Sequence, residues 1–206
     1  MKNYYLPTNR HFSVPAKTIT GCVLLALVLY GMPYFFEMIE MRKGTVINDW
    51  LLDNLPAYHV SAAIFFIIWG MGLLLLVRAF QTPLLFSRFV WAYLLICITR
   101  IITISLVPLA PPAAIIPLKD PLTGFFYGNQ VITRDLFYSG HTATLFLIYL
   151  FLDKKTDKLL GLTALIILVV LLLVQHVHYT IDIVAAPLIV YPIYRFSMRF
   201  VTDKRS

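Results

Sequence analysis

The stretch Leu159–Val177, LLGLTALIILVVLLLVQHV, runs nineteen residues without a charged side chain. A hydrocarbon core of about 30 Å takes roughly 20 apolar helical residues to cross, so this run predicts a transmembrane helix. Five more apolar runs accompany it: Thr18–Phe36, Ala57–Val77, Phe89–Val107, Leu136–Leu152 with a polar beginning, and Ile181 to about Phe196. Pro187 and Pro192 interrupt the last, and prolines inside a membrane helix predict kinks rather than ends. The composition agrees: 60% of the 206 residues are apolar and 13% charged, with a mean hydropathy of +0.81. A soluble domain is nearer about 45–50% apolar and about 25% charged, so that class is excluded. Cys22 and Cys97 both fall inside apolar runs, which leaves no disulfide framework and no zinc knuckle.

The fold expected is an all-α integral membrane protein of six transmembrane helices. Residues 1–17 form a cytoplasmic N-terminal segment, residues 18–200 the membrane domain with its catalytic core at about 100–186, and residues 201–206 a cytoplasmic tail. Orientation follows the basic residues. Twelve flank one side: Lys2, Arg10, Lys17, Arg78, Arg88, Lys154, Lys155, Lys158, Arg195, Arg199, Lys204 and Arg205. Only Arg42, Lys43, Lys119 and Arg134 flank the other. Both termini are therefore expected in the cytoplasm, and the net charge of +7 is a topology signal rather than a sign of nucleic-acid binding. Tyr30, Tyr34, Phe35, Phe36, Trp50, Trp91, Tyr191 and Tyr194 read mostly as interfacial belt residues. The long Pro108–Tyr138 link, stiffened by five prolines, has the length of a lid or a substrate-facing structure, and Phe125–Tyr127 within it could line a lipid entrance.

That link runs into Ser139-Gly140-His141-Thr142, which opens the fourth helix. His178-Tyr179-Thr180-Ile181-Asp182 joins the fifth to the sixth. A helix that crosses and one that returns have the start of the first and the end of the second on a common face. His141 is thereby brought level with His178 and Asp182, on the extracytoplasmic side by the charge count. His178 and Asp182, four apart, stack on one helical face, so the carboxylate can hold Nδ1–H and leave Nε2 as a nucleophile. His141 can serve as general acid and base. Ser139 fits a helix N-cap, which turns the N–H groups near Gly140 toward an anion. A metal site is the alternative use of the three catalytic side chains. His176 reads as a spectator. Arg100, inside the third run, is placed to bind a lipid phosphate or to form a structural ion pair. Asp135 either orients His141 or pairs with Arg134. Glu37, Glu40, Arg42, Lys43, Lys119 and Asp120 read as solvated loop charge.

The stretch Asp135-Leu-Phe-Tyr-Ser-Gly-His-Thr resembles the third signature of sphingomyelin synthases, and His178-Tyr-Thr-Ile-Asp-Ile their fourth. Arg100-Ile-Ile-Thr-Ile-Ser-Leu-Val-Pro-Leu is similar to the arginine-led second. That family lies within the lipid phosphatase/phosphotransferase superfamily of type 2 phosphatidic acid phosphatases. The resemblance spans roughly Arg100 to Ala186. It implies a metal-free and cofactor-free transfer of a phospho-head group from a phospholipid donor to a ceramide or diacylglycerol acceptor, through a phosphohistidine. His141, His178 and Asp182 would be catalytic, with Arg100, Asp135, Ser139, Gly140 and Tyr179 binding substrate. Thr133-Arg134 stands where family members often carry Cys-Gly, and the proline-rich first signature is not recognisable. Leu172 occupies the place of an arginine used by the wider superfamily, which disfavours an ordinary lipid phosphate phosphatase. The rival readings are capture of the same intermediate by water, giving a lipid phosphatase or phospholipase C-like hydrolase, and a transporter relay through Arg100, His178 and Asp182. A helix-end position for the pair and the lack of inverted repeats speak against the relay. A multi-pass protein of the cytoplasmic membrane is expected if the source is bacterial.

Overall fold

The computed structural model describes residues 14–118 and 132–201. The expectations for Lys119, Asp120 and Phe125–Tyr127 lie outside the described residues, as do Lys2, Arg10, Lys204 and Arg205. Among the described residues seven helices follow in order: α1 (Val14–Glu40), α2 (Trp50–Asp53), α3 (Ser61–Gln81), α4 (Pro83–Leu106), α5 (Gly140–Phe151), α6 (Lys155–Val174) and α7 (Thr180–Phe200). Five of them, α1, α3, α4, α6 and α7, are long and apolar enough to cross a membrane. With no water in hydrocarbon to bond the backbone, each apolar run satisfies its own N–H and C=O groups by coiling. α7 continues through Pro187 and Pro192, and α1 through Pro33.

The fourth expected span is corrected by this structure. Of Leu136–Leu152, only the twelve residues Gly140–Phe151 are helical. At 1.5 Å per residue that is about 18 Å, well short of the roughly 30 Å of a hydrocarbon core. The four preceding residues are non-helical because Ser139 caps the helix. Leu136, Tyr138 and Ser139 are nevertheless buried. α5 is the central post, packed against α3, α4, α6 and α7. Ala143 and Leu147 are completely enclosed, and Leu145 and Ile148 almost so. The long helices around it turn Phe66, Leu73, Ile166 and Leu188 outward. α1 lies outermost, against α4, and its Phe36, expected in the aromatic belt, is buried instead. Cys22 and Cys97 are both free.

The expected Arg78–Arg88 link shrinks to a single residue. Thr82 separates α3 from α4, and Pro83 opens α4, where a missing N–H costs nothing. Basic residues then gather at one end of the bundle and tie helix ends together. Lys17 donates to Phe200 O at 2.7 Å and Arg88 to Val201 O at 2.9 Å. Trp91 Nε1 donates to Lys17 O at 3.0 Å. Arg78 on α3 grips Asp157 on α6 with Nε at 2.6 Å and Nη2 at 3.2 Å. Two charge-assisted bonds in a fork exceed what an isolated surface pair contributes. Arg78→Ala should lower the melting temperature measurably, whereas Arg195→Ala, whose side chain donates to the exposed Tyr191 hydroxyl, should be near neutral. Thermal unfolding of both variants in detergent micelles checks the contrast.

Candidate active site

α5 starts at Ser139, whose hydroxyl accepts the Thr142 N–H at 3.3 Å. The Ser139 N–H donates to Asp182 O at 3.1 Å, which stitches the start of α5 to the first turn of α7. His141 and His178 are thereby neighbours, with ring centroids 6.0 Å apart and planes at 61°. Phe65 of α3 stands edge-on to His141 at 6.3 Å. His178 and Asp182 are 1% and 0% exposed, so the pair lies inside the bundle rather than on a wetted helix end.

His178 and Asp182 meet by a different local structure from the one expected. His178 precedes α7 and is not stacked on its face. Tyr179 is the N-cap, and Asp182, three residues on, turns back to accept the Tyr179 N–H at 3.0 Å through Oδ2. This capping box wraps the chain so that His178 Nδ1 stands 3.6 Å from the same oxygen. That is an ion-pair separation, longer than a hydrogen bond. Neither His178 Nδ1 nor Asp182 Oδ1 has a hydrogen-bond partner among the described residues. A small rotation of the carboxylate would join them.

Arg100 reaches the same place from the body of α4. It is buried; Nε donates to Tyr138 O at 3.2 Å and Nη2 forms an ion pair with Asp135 Oδ1. Asp135 is thus paired with Arg100, a partner that was not among those expected for it. The guanidinium lies flat on Gly140, where an added Cβ would sit 2.5 Å from Cζ and Nη1. Glycine at 140 is thus a space requirement, and it sets Arg100 beside the residue that precedes His141. Tyr179 is almost fully buried, and its hydroxyl is engaged by backbone, donating to Ala110 O at 3.0 Å and accepting from Ile47 N–H at 3.4 Å. It acts as a strut between loops.

Several supports were not seen in the sequence. Asp49 caps two helices at once. Oδ1 accepts from Leu51 and Leu52 N–H of α2 and from the Thr180 hydroxyl at 3.0 Å, while Oδ2 accepts the Thr180 N–H at 2.6 Å. An aspartate before Trp50-Leu51-Leu52 is a cap signature, but its reach to Thr180 has no local sign. Gln175, completely buried, donates to Ser61 Oγ at 2.7 Å and Ile116 O at 3.1 Å and accepts from Val60 N–H, joining α6 to α3 and the proline-rich loop. His176 adopts φ 54° and closes α6 in a Schellman turn, with His176 N–H on Leu173 O and Val177 N–H on Leu172 O. Its ring contacts Leu55 O at 3.0 Å, so it is a structural residue. Glu40 and Arg42, expected as solvated charge, are both engaged. Glu40 accepts from Thr133 N–H, Arg134 N–H and the Thr133 hydroxyl, and Arg42 Nη2 caps the end of α4 on Ile104 O at 2.5 Å.

Residues 134–199 match the family model described as PAP2 superfamily C-terminal. The match supports the type 2 phosphatidic acid phosphatase superfamily. It takes in His141, His178 and Asp182, and leaves Arg100 outside. No curated protein matches the chain. The match suggests lipid phosphatase or phosphotransferase chemistry.

Two tests follow from the geometry. Gly140→Ala should displace the Arg100 guanidinium and cut turnover at least tenfold, with Gly140→Ser no better; steady-state assay beside a melting curve separates this from unfolding. Burial raises the Asp49 carboxyl, but bonds from Thr180, Leu52 and Leu51 outweigh it and hold the group below the usual carboxylate range. Its contribution to stability is thus complete above about pH 4, the unfolded value, and is lost as pH falls through the lower folded value. Asp49→Ala should lose about 1 kcal/mol above about pH 4, the gap to the parent closing at lower pH. Melting temperatures measured from pH 7 to pH 3 would show it.

Proposed function

We propose that this protein is a membrane lipid phosphotransferase that moves a phospho-head group from a phospholipid to a ceramide or diacylglycerol hydroxyl. The observation that carries the reading is the closure of two imidazoles, 6.0 Å between ring centres, beside a buried guanidinium and a buried carboxylate. Asp182 faces Nδ1 of His178, which selects the tautomer with a lone pair on Nε2. That lone pair attacks phosphorus; the N–P bond forms as the P–O bond to diacylglycerol breaks. His141, as imidazolium, gives its proton to the departing alkoxide. The neutral His141 then takes a proton from the acceptor hydroxyl, whose oxygen attacks phosphorus as the P–N bond breaks and its electron pair returns to His178. Arg100 and the N–H groups at the start of α5 offset the charge that develops on the phosphoryl oxygens.

Hydrolysis uses the same first half, with water as acceptor. Burial of His178 and Asp182 favours transfer, since excluding water protects a phosphohistidine from it. Sidedness follows from the basic end of the bundle: the end with Lys17, Arg78 and Arg88 faces the cytoplasm and the site opens on the opposite side. The test uses purified protein in mixed micelles with phospholipids labelled in the head group and either ceramide or diacylglycerol. A labelled product lipid that depends on the acceptor and vanishes in His178→Ala is the expected result. Asp182→Asn should lower the rate at least a hundredfold with lipid binding retained. Release of only soluble phospho-head group would shift the assignment to hydrolysis, and normal turnover in His178→Ala would remove the nucleophile.

A further inference from the structure

A second cationic feature stands at the rim of the site, where α1 and α4 end. Arg42 spends Nη1 and Nη2 on the Ser105 and Ile104 carbonyls, and its Nε is buried with no hydrogen-bond partner among the described residues. Arg134 is used by the surrounding fold through its backbone, the N–H bonding Glu40 Oε1 at 2.6 Å, while its Nη1 is likewise buried and unpartnered. Glu40, two residues before Arg42, therefore ties the Arg134 backbone to the end of α1 that carries Arg42. Its own oxygens are occupied by three neutral donors from Thr133 and Arg134. Burial, and then the nearby Arg134 charge, hold the Arg42 guanidinium below its usual value. Lys43 is exposed beside them and Glu37 is exposed a turn earlier on α1. Asp135, next to Arg134, is committed to Arg100.

Charged donors left unbonded are unfavourable, and neighbouring like charges add to that cost. An anion placed between the two guanidinium groups relieves both. Arginine donors fit phosphate oxygens better than any other anion-binding side chain. Next to Glu40 and the Ile104 carbonyl lies the apolar cluster of Met32, Phe36, Ile39 and Ile104, with Met38 exposed on α1 and Met41 exposed just beyond its end. This combination suits a phosphate borne on an acyl lipid.

We propose that Arg42 and Arg134 form a phosphate-binding site separate from Arg100, one residue along the chain from the Asp135–Arg100 pair. A phosphate can bind there whatever reaction the histidines perform, so the site does not rest on the transfer reading.

The test is isothermal titration of the full chain carrying His178→Ala, in micelles of neutral detergent, with dihexanoyl phosphatidate in one arm and inorganic phosphate in the other. If Arg100 also holds a phosphate, the parent shows two sites and Arg134→Gln shows one; if the transfer reading fails, the counts are one and none. In either case the affected site loses at least tenfold in affinity, with Arg134→Lys intermediate. Arg42→Gln should behave alike. Because it also removes bonds at the end of α4, Arg134→Gln carries the test if the Arg42 variant melts early. Loss confined to the phosphatidate arm names a lipid ligand, and equal loss with inorganic phosphate names the free anion. The same number and strength of sites in the parent and in Arg134→Gln would overturn the proposal.

Discussion

A guanidinium in the body of an apolar helix has to be matched, and the pairing of Arg100 with Asp135 governs the middle of this structure. An unpaired arginine at helix centre costs about 2.5–3.5 kcal/mol on insertion scales. Matching it draws the chain before α5 into the bundle, so that Leu136, Tyr138 and Ser139 are buried although they are not helical. Their backbone groups then need partners. Tyr138 O takes Arg100 Nε, Phe137 O takes the Thr103 hydroxyl, and Ser139 N–H takes Asp182 O. The shortness of α5 follows from this descent: residues spent in reaching the guanidinium are not available to the helix. The two histidines meet because α5 and α7 both begin at this level.

The membrane character of the chain and the approach of His141 to His178 were legible for simple reasons. Long uncharged runs have one stable backbone solution in lipid, and the parity of alternating helices puts the start of one and the end of the next on a common face. The fourth run misled because hydropathy counts apolar residues without knowing what they face. Leu136 and Phe137 are apolar, and they pack around Tyr179 and Leu109 in irregular chain instead of lengthening a helix.

Charge at loop ends was the least legible feature. Glu40, Arg42 and Asp49 look, in sequence, like ordinary polar punctuation. Each one bonds a partner from 62 to 131 residues away. Such bonds leave no periodicity, since the partner is a carbonyl at a bare helix end or a backbone amide with no side-chain identity of its own. The His178–Asp182 pairing was readable as a spacing of four, but the reason for it was not. The contact comes from Asp182 turning back to cap Tyr179, which a helix-face argument does not contain.

In the proposed reaction, the choice between an alcohol and water as acceptor would be set by the surroundings of the phosphohistidine, not by its chemistry, since both supply one hydroxyl proton to the same base. Water at high concentration wins wherever it has access. The walls of this site are unfavourable to it: the Phe65 ring against His141, an almost unexposed His178 and a fully enclosed Asp182. α5, twelve residues long, is too short to cross a hydrocarbon core, and its first turn carries His141 inside the bundle against Phe65 and His178. In the proposed reaction, the same descent that pairs Arg100 with Asp135 would also bias the acceptor toward a lipid, so that one ion pair links the folding of the centre to the outcome.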